Sequence, residues 1–104
     1  MSGINSPYTY AYEHVPASAT ARVLGGNGAI GDYIHRLACT VSTAATGSVS
    51  ILDGTGFTHV LLPASPGGGI GQYDIELNIV SRNGPWKITT GAGVEVLAIG
   101  IFSA

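Results

Sequence analysis

Charge is the property this sequence has least of. Charged residues make up 10 % of the 104 positions, against roughly 25 % in an ordinary globular protein. The cations are scattered along the chain: Arg22, Arg36, Arg82 and Lys87. Nucleic-acid binding requires clustered Lys and Arg to neutralise phosphates, so no nucleic-acid partner is predicted. Because dispersed charge normally keeps a surface soluble, a surface this neutral also indicates association with other protein subunits.

Cysteine and long apolar runs are scarce as well. The single cysteine, Cys39, excludes an internal disulfide and is predicted to be a small buried hydrophobe. No apolar run approaches the ~18 residues of a membrane span. The first residues, 1–7, carry neither the basic nor the apolar region of a signal peptide. We therefore expect no membrane association and synthesis in the cytoplasm.

Patterns that carry chemistry are also missing. The three histidines, His14, His35 and His59, do not have the close spacing of common metal motifs. The pair Asp74 and Glu76 falls on the outward side of an amphipathic segment, where carboxylates are usually solvated. There is no Gly-x-Ser-x-Gly nucleophile elbow. The sequence predicts a protein that is not an enzyme and that uses no cofactor and no metal.

Glycine and alternating apolar residues are abundant instead. Glycine occupies 16 of the 104 positions, which suits tight turns, and no segment has a convincing helical period. Apolar and polar residues alternate in short runs separated by turn residues, over 19–24, 32–41, 48–53, 57–62, 72–80, 86–90 and 94–102. This spacing predicts an all-β, single-domain antiparallel β-sandwich, jelly-roll-like, of about seven or eight strands with essentially no helix.

The run 84–102 is the most informative stretch, since it holds the only tryptophan and the longest apolar strand. A three-residue loop over 91–93 predicts a hairpin in which one face carries Trp86, Ile88, Val94 and Val96. From Leu97 onward both faces are apolar, as in a strand covered on both sides by another sheet or another subunit. Ile99 and Ile101 are therefore predicted partner-binding residues of a homo-oligomer.

The N-terminal segment is predicted to be an extended arm over 1–18, followed by the sandwich domain over 19–104. Tyr8, Tyr10 and Tyr12 alternate and so share one side of an extended chain. We predict that these tyrosines bind a neighbouring subunit. Two alternatives stay open: an edge strand of the same domain, and a tyrosine platform for carbohydrate.

Three motifs together resemble small β-rich virion proteins of tailed bacteriophages. They are GAIGDYIHRL over 28–37, GSVSILDG over 47–54 and GPWKITTGAGVEV over 84–96, similar to the family order GxxGDYxxRL, SVxIxDG and GxWxxTTGxxVxV. The likeness covers roughly residues 25–102. It implies a decoration or cement protein at the capsid surface, made in the host cytoplasm. Its implied partners are the major capsid protein and neighbouring copies of itself, as a homotrimer.

A second interpretation of the sequence is a small β-sandwich binding module, either lectin-like or a receptor-binding part of a phage fibre or tail. Such a module needs exposed aromatic side chains beside Asp or Asn in a pocket. In the sequence alone, Tyr8, Tyr10 and Tyr12 are the candidates for that role.

Overall fold

The computed structural model describes residues 11–42, 47–64 and 70–103. These residues form eight strands, and no helix occurs among them. The strands are β1 (Ala11–Val15), β2 (Arg22–Val23), β3 (Tyr33–Val41), β4 (Val49–Asp53), β5 (Thr58–Leu62), β6 (Gly71–Val80), β7 (Trp86–Thr90) and β8 (Val94–Ile101).

The strands build two four-stranded antiparallel sheets. Sheet 1 has the order β1-β8-β3-β6, and sheet 2 has the order β2-β7-β4-β5. The first four strands pair with the last four in reverse order, β1 with β8, β2 with β7, β3 with β6 and β4 with β5. This nesting is the jelly-roll topology. The predicted all-β sandwich is therefore confirmed.

The core fills the space between the two inner faces. Alternation along β8 buries Val94, Val96 and Ala98, and alternation along β7 buries Trp86 and Ile88. The remaining buried apolar side chains come from the other strands and from the loop after β2: Val15, Leu24, Ile34, Leu37, Cys39, Val41, Val49 and Ile51. Period-two alternation thus supplies one apolar side to each sheet, as the sequence predicted.

The predicted hairpin over 84–102 is wrong in its pairing, although its faces are right. β7 lies in sheet 2 and β8 in sheet 1, so the loop over 91–93 crosses from one sheet to the other. Gly93 takes the left-handed conformation in this crossing, with φ of 77°. Two strands that face one core from opposite sheets show the same inward pattern as a hairpin. The alternation identifies the buried side but not the hydrogen-bonded neighbour.

Simple alternation over 32–41 predicts one apolar face with Tyr33, His35, Leu37, Cys39 and Val41, and this is wrong at the first residues of β3. Ile34 is fully buried, whereas Tyr33 pairs with Ile101 on the outer side of sheet 1. The register shifts between Ile34 and Arg36 in the pairing with both β6 and β8. A bulge adds one residue and exchanges the faces on its two sides, so simple alternation fails there.

Part of the segment predicted as an arm belongs to sheet 1. β1 pairs with β8 from Ala11 opposite Gly100 to Val15 opposite Val96, and Val15 is fully buried in the core. For residues 11–15 the structure therefore has the edge strand that the sequence analysis kept as an alternative. Tyr8 and Tyr10 lie outside the described residues.

Candidate functional site

An apolar patch covers the outer side of β8, the second strand of sheet 1. Leu97 and Ile101 are 36 % and 45 % exposed, and Ile99 between them is half-buried. Tyr12 of β1 pairs with Ile99 and is 73 % exposed. Paired residues share a face, so these four side chains lie together. We call them the outer apolar face.

The core does not need the apolar residues on the outer side of β8. The inward positions of the strand already fill the core with Val94, Val96 and Ala98. A Cβ atom at Gly100 would clash with the Tyr33 carbonyl oxygen, which means that the backbones of β8 and β3 approach closely there. Leu97, Ile99 and Ile101 make the second apolar side, and the other described residues cover it only in part.

Polar pairs surround the outer apolar face. His14 Nε2 lies 3.7 Å from Glu95 Oε1 at one end of β8. Across β3, Arg36 Nη1 donates to Asp74 Oδ2 at 2.6 Å. An apolar patch rimmed by paired polar groups is the usual composition of a protein interface.

A polar cluster lies beside the bulge on the same side of sheet 1. Tyr33 Oη donates to Asn78 Oδ1 at 2.7 Å, and His35 Nδ1 lies 2.8 Å from the same oxygen. Asn78 has φ of 54°, a left-handed conformation that asparagine tolerates better than most residues. The cluster holds the bulged end of β6 against β3, so we assign it a structural role.

A concave feature, which we call the edge groove, lies between β5 and β6 at the open side of the sandwich. Its volume is about 400 Å³. Ile51 and Trp86 form its floor. Phe57 and His59 line it from sheet 2, and Ile79 and Arg82 line it from the end of β6.

The two loops at the end of this groove are fastened to each other. Asp53 accepts the backbone N–H of Arg82 at 2.9 Å and that of Asn83 at 3.0 Å, one on each carboxylate oxygen. The Gly54 N–H donates to the Pro85 carbonyl at 2.9 Å. Both carboxylate oxygens of Asp53 are thus used to shape the groove.

The residues predicted as a site are only partly brought together. Tyr12, Ile99 and Ile101 share the outer apolar face, whereas Tyr8 and Tyr10 lie outside the described residues. Sequence reasoning missed Phe57, which is 85 % exposed. A large apolar residue directly after the turn Asp53-Gly54-Thr55-Gly56 was the available signal, but it was assigned to the start of a strand.

The chemistry-bearing residues are dispersed. Within residues 11–42, 47–64 and 70–103, no group of three or more His, Cys, Asp or Glu side chains could hold a metal ion. His14 faces Glu95, His35 faces Asn78, and His59 lines the edge groove. The same described residues contain no helix long and apolar enough to cross a membrane.

Comparison with known proteins identifies no relative: no family model, no curated protein and no solved structure matches the chain.

Proposed function

We propose that this chain is a non-enzymatic structural protein of a phage particle that decorates or cements the capsid. It binds the major capsid protein and neighbouring copies of itself, as a homotrimer, through the outer apolar face. The observation that supports the proposal is the partly exposed apolar outer side of β8, because a strand flanked by two neighbours in its sheet needs only one apolar side for its own core. The resemblance in the three motifs supplies the phage context.

The energetics of the outer apolar face suit association. Fully burying an Ile or Leu side chain contributes about 1.5–3 kcal/mol, and the three side chains of β8 are already partly covered. Tyr12, which is mostly exposed, adds aromatic area and a hydroxyl that can form a hydrogen bond at a rim. The nearby charges of Arg36 and Asp74 pair with each other, so covering the patch on the β3 side leaves neither of them unpaired.

The test replaces two of these residues without disturbing the strand. Ile99→Thr with Ile101→Thr keeps β-branched residues, which favour strands, and removes apolar area. The matched control is Val60→Thr, an exposed position on β5 of the other sheet. Capsids lacking the chain are mixed with each purified variant, and bound copies are counted by quantitative mass spectrometry. Sedimentation measures the oligomeric state.

We expect the wild type and the control to form an oligomer and to occupy capsids at hundreds of copies. The double variant should keep its melting temperature and lose both properties. A monomeric wild type that does not bind capsids would overturn the proposal. So would a double variant that binds as well as the wild type.

The alternative function is a binding module of a phage fibre or tail, and the edge groove is the observation that favours it. There, exposed Phe57 lies beside Asp53 and Asn83. The copy number separates the two functions, since a tail or fibre part is present at only a few copies per particle.

A further inference from the structure

We propose that the edge groove is a binding site for a peptide segment that places an apolar side chain over Trp86 and a carboxylate against Arg82. This site is separate from the outer apolar face and does not depend on the capsid function proposed above. The carboxylate can belong to a chain terminus or to an acidic side chain, since both present the same group.

The floor of the groove is apolar and already formed. Ile51 and Trp86 are each 4 % exposed. The indole Nε1 donates to the backbone carbonyl of Asp32 at 2.9 Å, inside the protein. Because this is the only donor of the indole, the ring offers apolar surface alone to a ligand.

The two walls extend this apolar surface outward. Phe57 comes from the β4–β5 loop of sheet 2, and Ile79 comes from β6 of sheet 1, where it is 41 % exposed. A side chain inserted between them contacts an aromatic ring on one wall and an aliphatic chain on the other. Pockets of roughly 300–1,000 Å³ with mainly apolar walls and few polar groups are typical of ligand sites.

Arg82 supplies the polar contact. Among the described residues, the ion pairs that involve Arg or Lys are Arg22–Glu13 and Arg36–Asp74, and neither includes Arg82. The carboxylate oxygens of its neighbour Asp53 accept the backbone N–H groups of Arg82 and Asn83, and Asp53 forms no ion pair with the Arg82 guanidinium among the described residues. A guanidinium beside an apolar slot matches a carboxylate, which it can bind through two parallel hydrogen bonds. His59, on the facing wall, adds a second polar contact.

A saccharide fits this groove less well. Sugar hydroxyl groups need hydrogen-bond acceptors as well as donors. Asp53, one of the acceptors that line the groove, already accepts a backbone N–H on each carboxylate oxygen, and the Trp86 donor points into the protein. The register breaks in β5 beside Val49 and in β6 beside Ile34 also interrupt both edge strands. A ligand is therefore held by side chains rather than by extending a sheet.

The experiment uses the one indole of the chain as its reporter. Trp86 gives a single indole N–H signal in a ¹H–¹⁵N spectrum, since the chain has one tryptophan. The probes are N-acetyl-leucine, N-acetyl-leucinamide and glucuronic acid, each titrated at constant pH. N-acetyl-leucine should move the indole signal with saturation. The amide should bind about tenfold more weakly, and glucuronic acid should leave the signal in place.

Variants separate the two contacts. Arg82→Gln should abolish the preference for the acid over the amide. Phe57→Ala should lower the affinity for both probes by a similar factor. The matched controls are Lys87→Gln, a cation on the opposite side of β7, and Val60→Ala, an exposed apolar residue on β5 outside the groove. Both controls should bind like the wild type.

Equal binding of acid and amide to the wild type would overturn the proposal, as would an unmoved indole signal at saturating N-acetyl-leucine. A response to glucuronic acid alone would assign the groove to a saccharide instead. The variant Ile99→Thr with Ile101→Thr should titrate normally, so failure of the capsid proposal and failure of this one give different results.

Discussion

Removing the side chain of Asp32 is the sharpest test of the fold, because this carboxylate joins distant parts of the chain. It is buried, and its Oδ2 accepts the backbone N–H of Ala29 at 3.0 Å and that of Ser103 at 3.0 Å. Its Oδ1 accepts the Ser103 hydroxyl at 2.7 Å. One side chain therefore ties the loop before β3 to the segment after β8.

The magnitude follows from the partners that each substitution leaves behind. Asp32→Ala removes all three acceptor contacts and leaves two half-buried amides without a protein partner. At about 1–3 kcal/mol for each stranded donor, and with partial access of water, we expect a loss of about 2–4 kcal/mol. Asp32→Asn keeps one oxygen for both amides, and its NH₂ group can donate to the Ser103 hydroxyl. The Asn variant should lose about 0.5–1.5 kcal/mol.

Urea unfolding followed by Trp86 fluorescence measures both values, because each variant retains the indole. In a domain of this size, 1 kcal/mol corresponds to about 4–8 °C in Tm, so the Ala variant should melt at least about 8 °C lower. Asp74→Ala is the matched control. It removes an exposed carboxylate with one ion pair to Arg36 and should cost less than about 1 kcal/mol. An Ala variant as stable as the Asn variant would refute the reasoning.

Two further predictions concern the core. Trp86→Ala should lower the free energy of unfolding by about 3–5 kcal/mol. Trp86→Phe should lower it by only about 1 kcal/mol, since the Asp32 carbonyl still accepts the Ser81 N–H at 2.9 Å after the indole is lost. Urea unfolding followed by circular dichroism measures both. Burial, with a smaller contribution from Asp74, raises the pKa of Cys39 from 9.0 to about 11. The thiol ionises at lower pH in the unfolded chain than in the folded one. The folded state is therefore stabilised by the neutral thiol fully below pH 9, and loses about 2–3 kcal/mol of free energy of unfolding between pH 9 and 11. The variant Cys39→Ala, unfolded in parallel, should not show this loss.

The buried sides of β7 and β8 could be predicted well from the sequence. Alternation placed Trp86, Ile88, Val94 and Val96 in the core, and the structure buries all four. The same alternation identified the second apolar side of β8. These properties depend on the residues of one strand alone, so a single sequence contains them.

Strand partners and register breaks could not be predicted in this way. The pairing of β7 with β4, and of β8 with β1 and β3, depends on contacts between segments far apart in sequence. The bulge at His35 places Ile34 inside and Tyr33 outside, because one added residue shifts the in–out alternation by one position. No local pattern marks that position.

The edge groove was missed for the same reason. Its floor comes from β4 and β7, and its walls come from the β4–β5 loop, β5 and the end of β6. Asp32 stands in a turn, where Asp is common, so its residue type alone does not indicate a long-range role. Its partner Ser103 is 71 positions away, a separation at which sequence patterns give no indication of contact.

The positions of the two proposed surfaces explain why they can be tested separately. The outer apolar face lies on β1 and β8, whereas the edge groove lies beyond β6, at the other side of sheet 1. Between them runs β3, whose outer side carries the Arg36–Asp74 ion pair and the cluster of Tyr33, His35 and Asn78. A partner bound to the outer apolar face would have to cover these polar side chains of β3 before it could reach the groove, and removing them from water would cost free energy. Occupation of the apolar face should therefore leave the groove open to its own ligand.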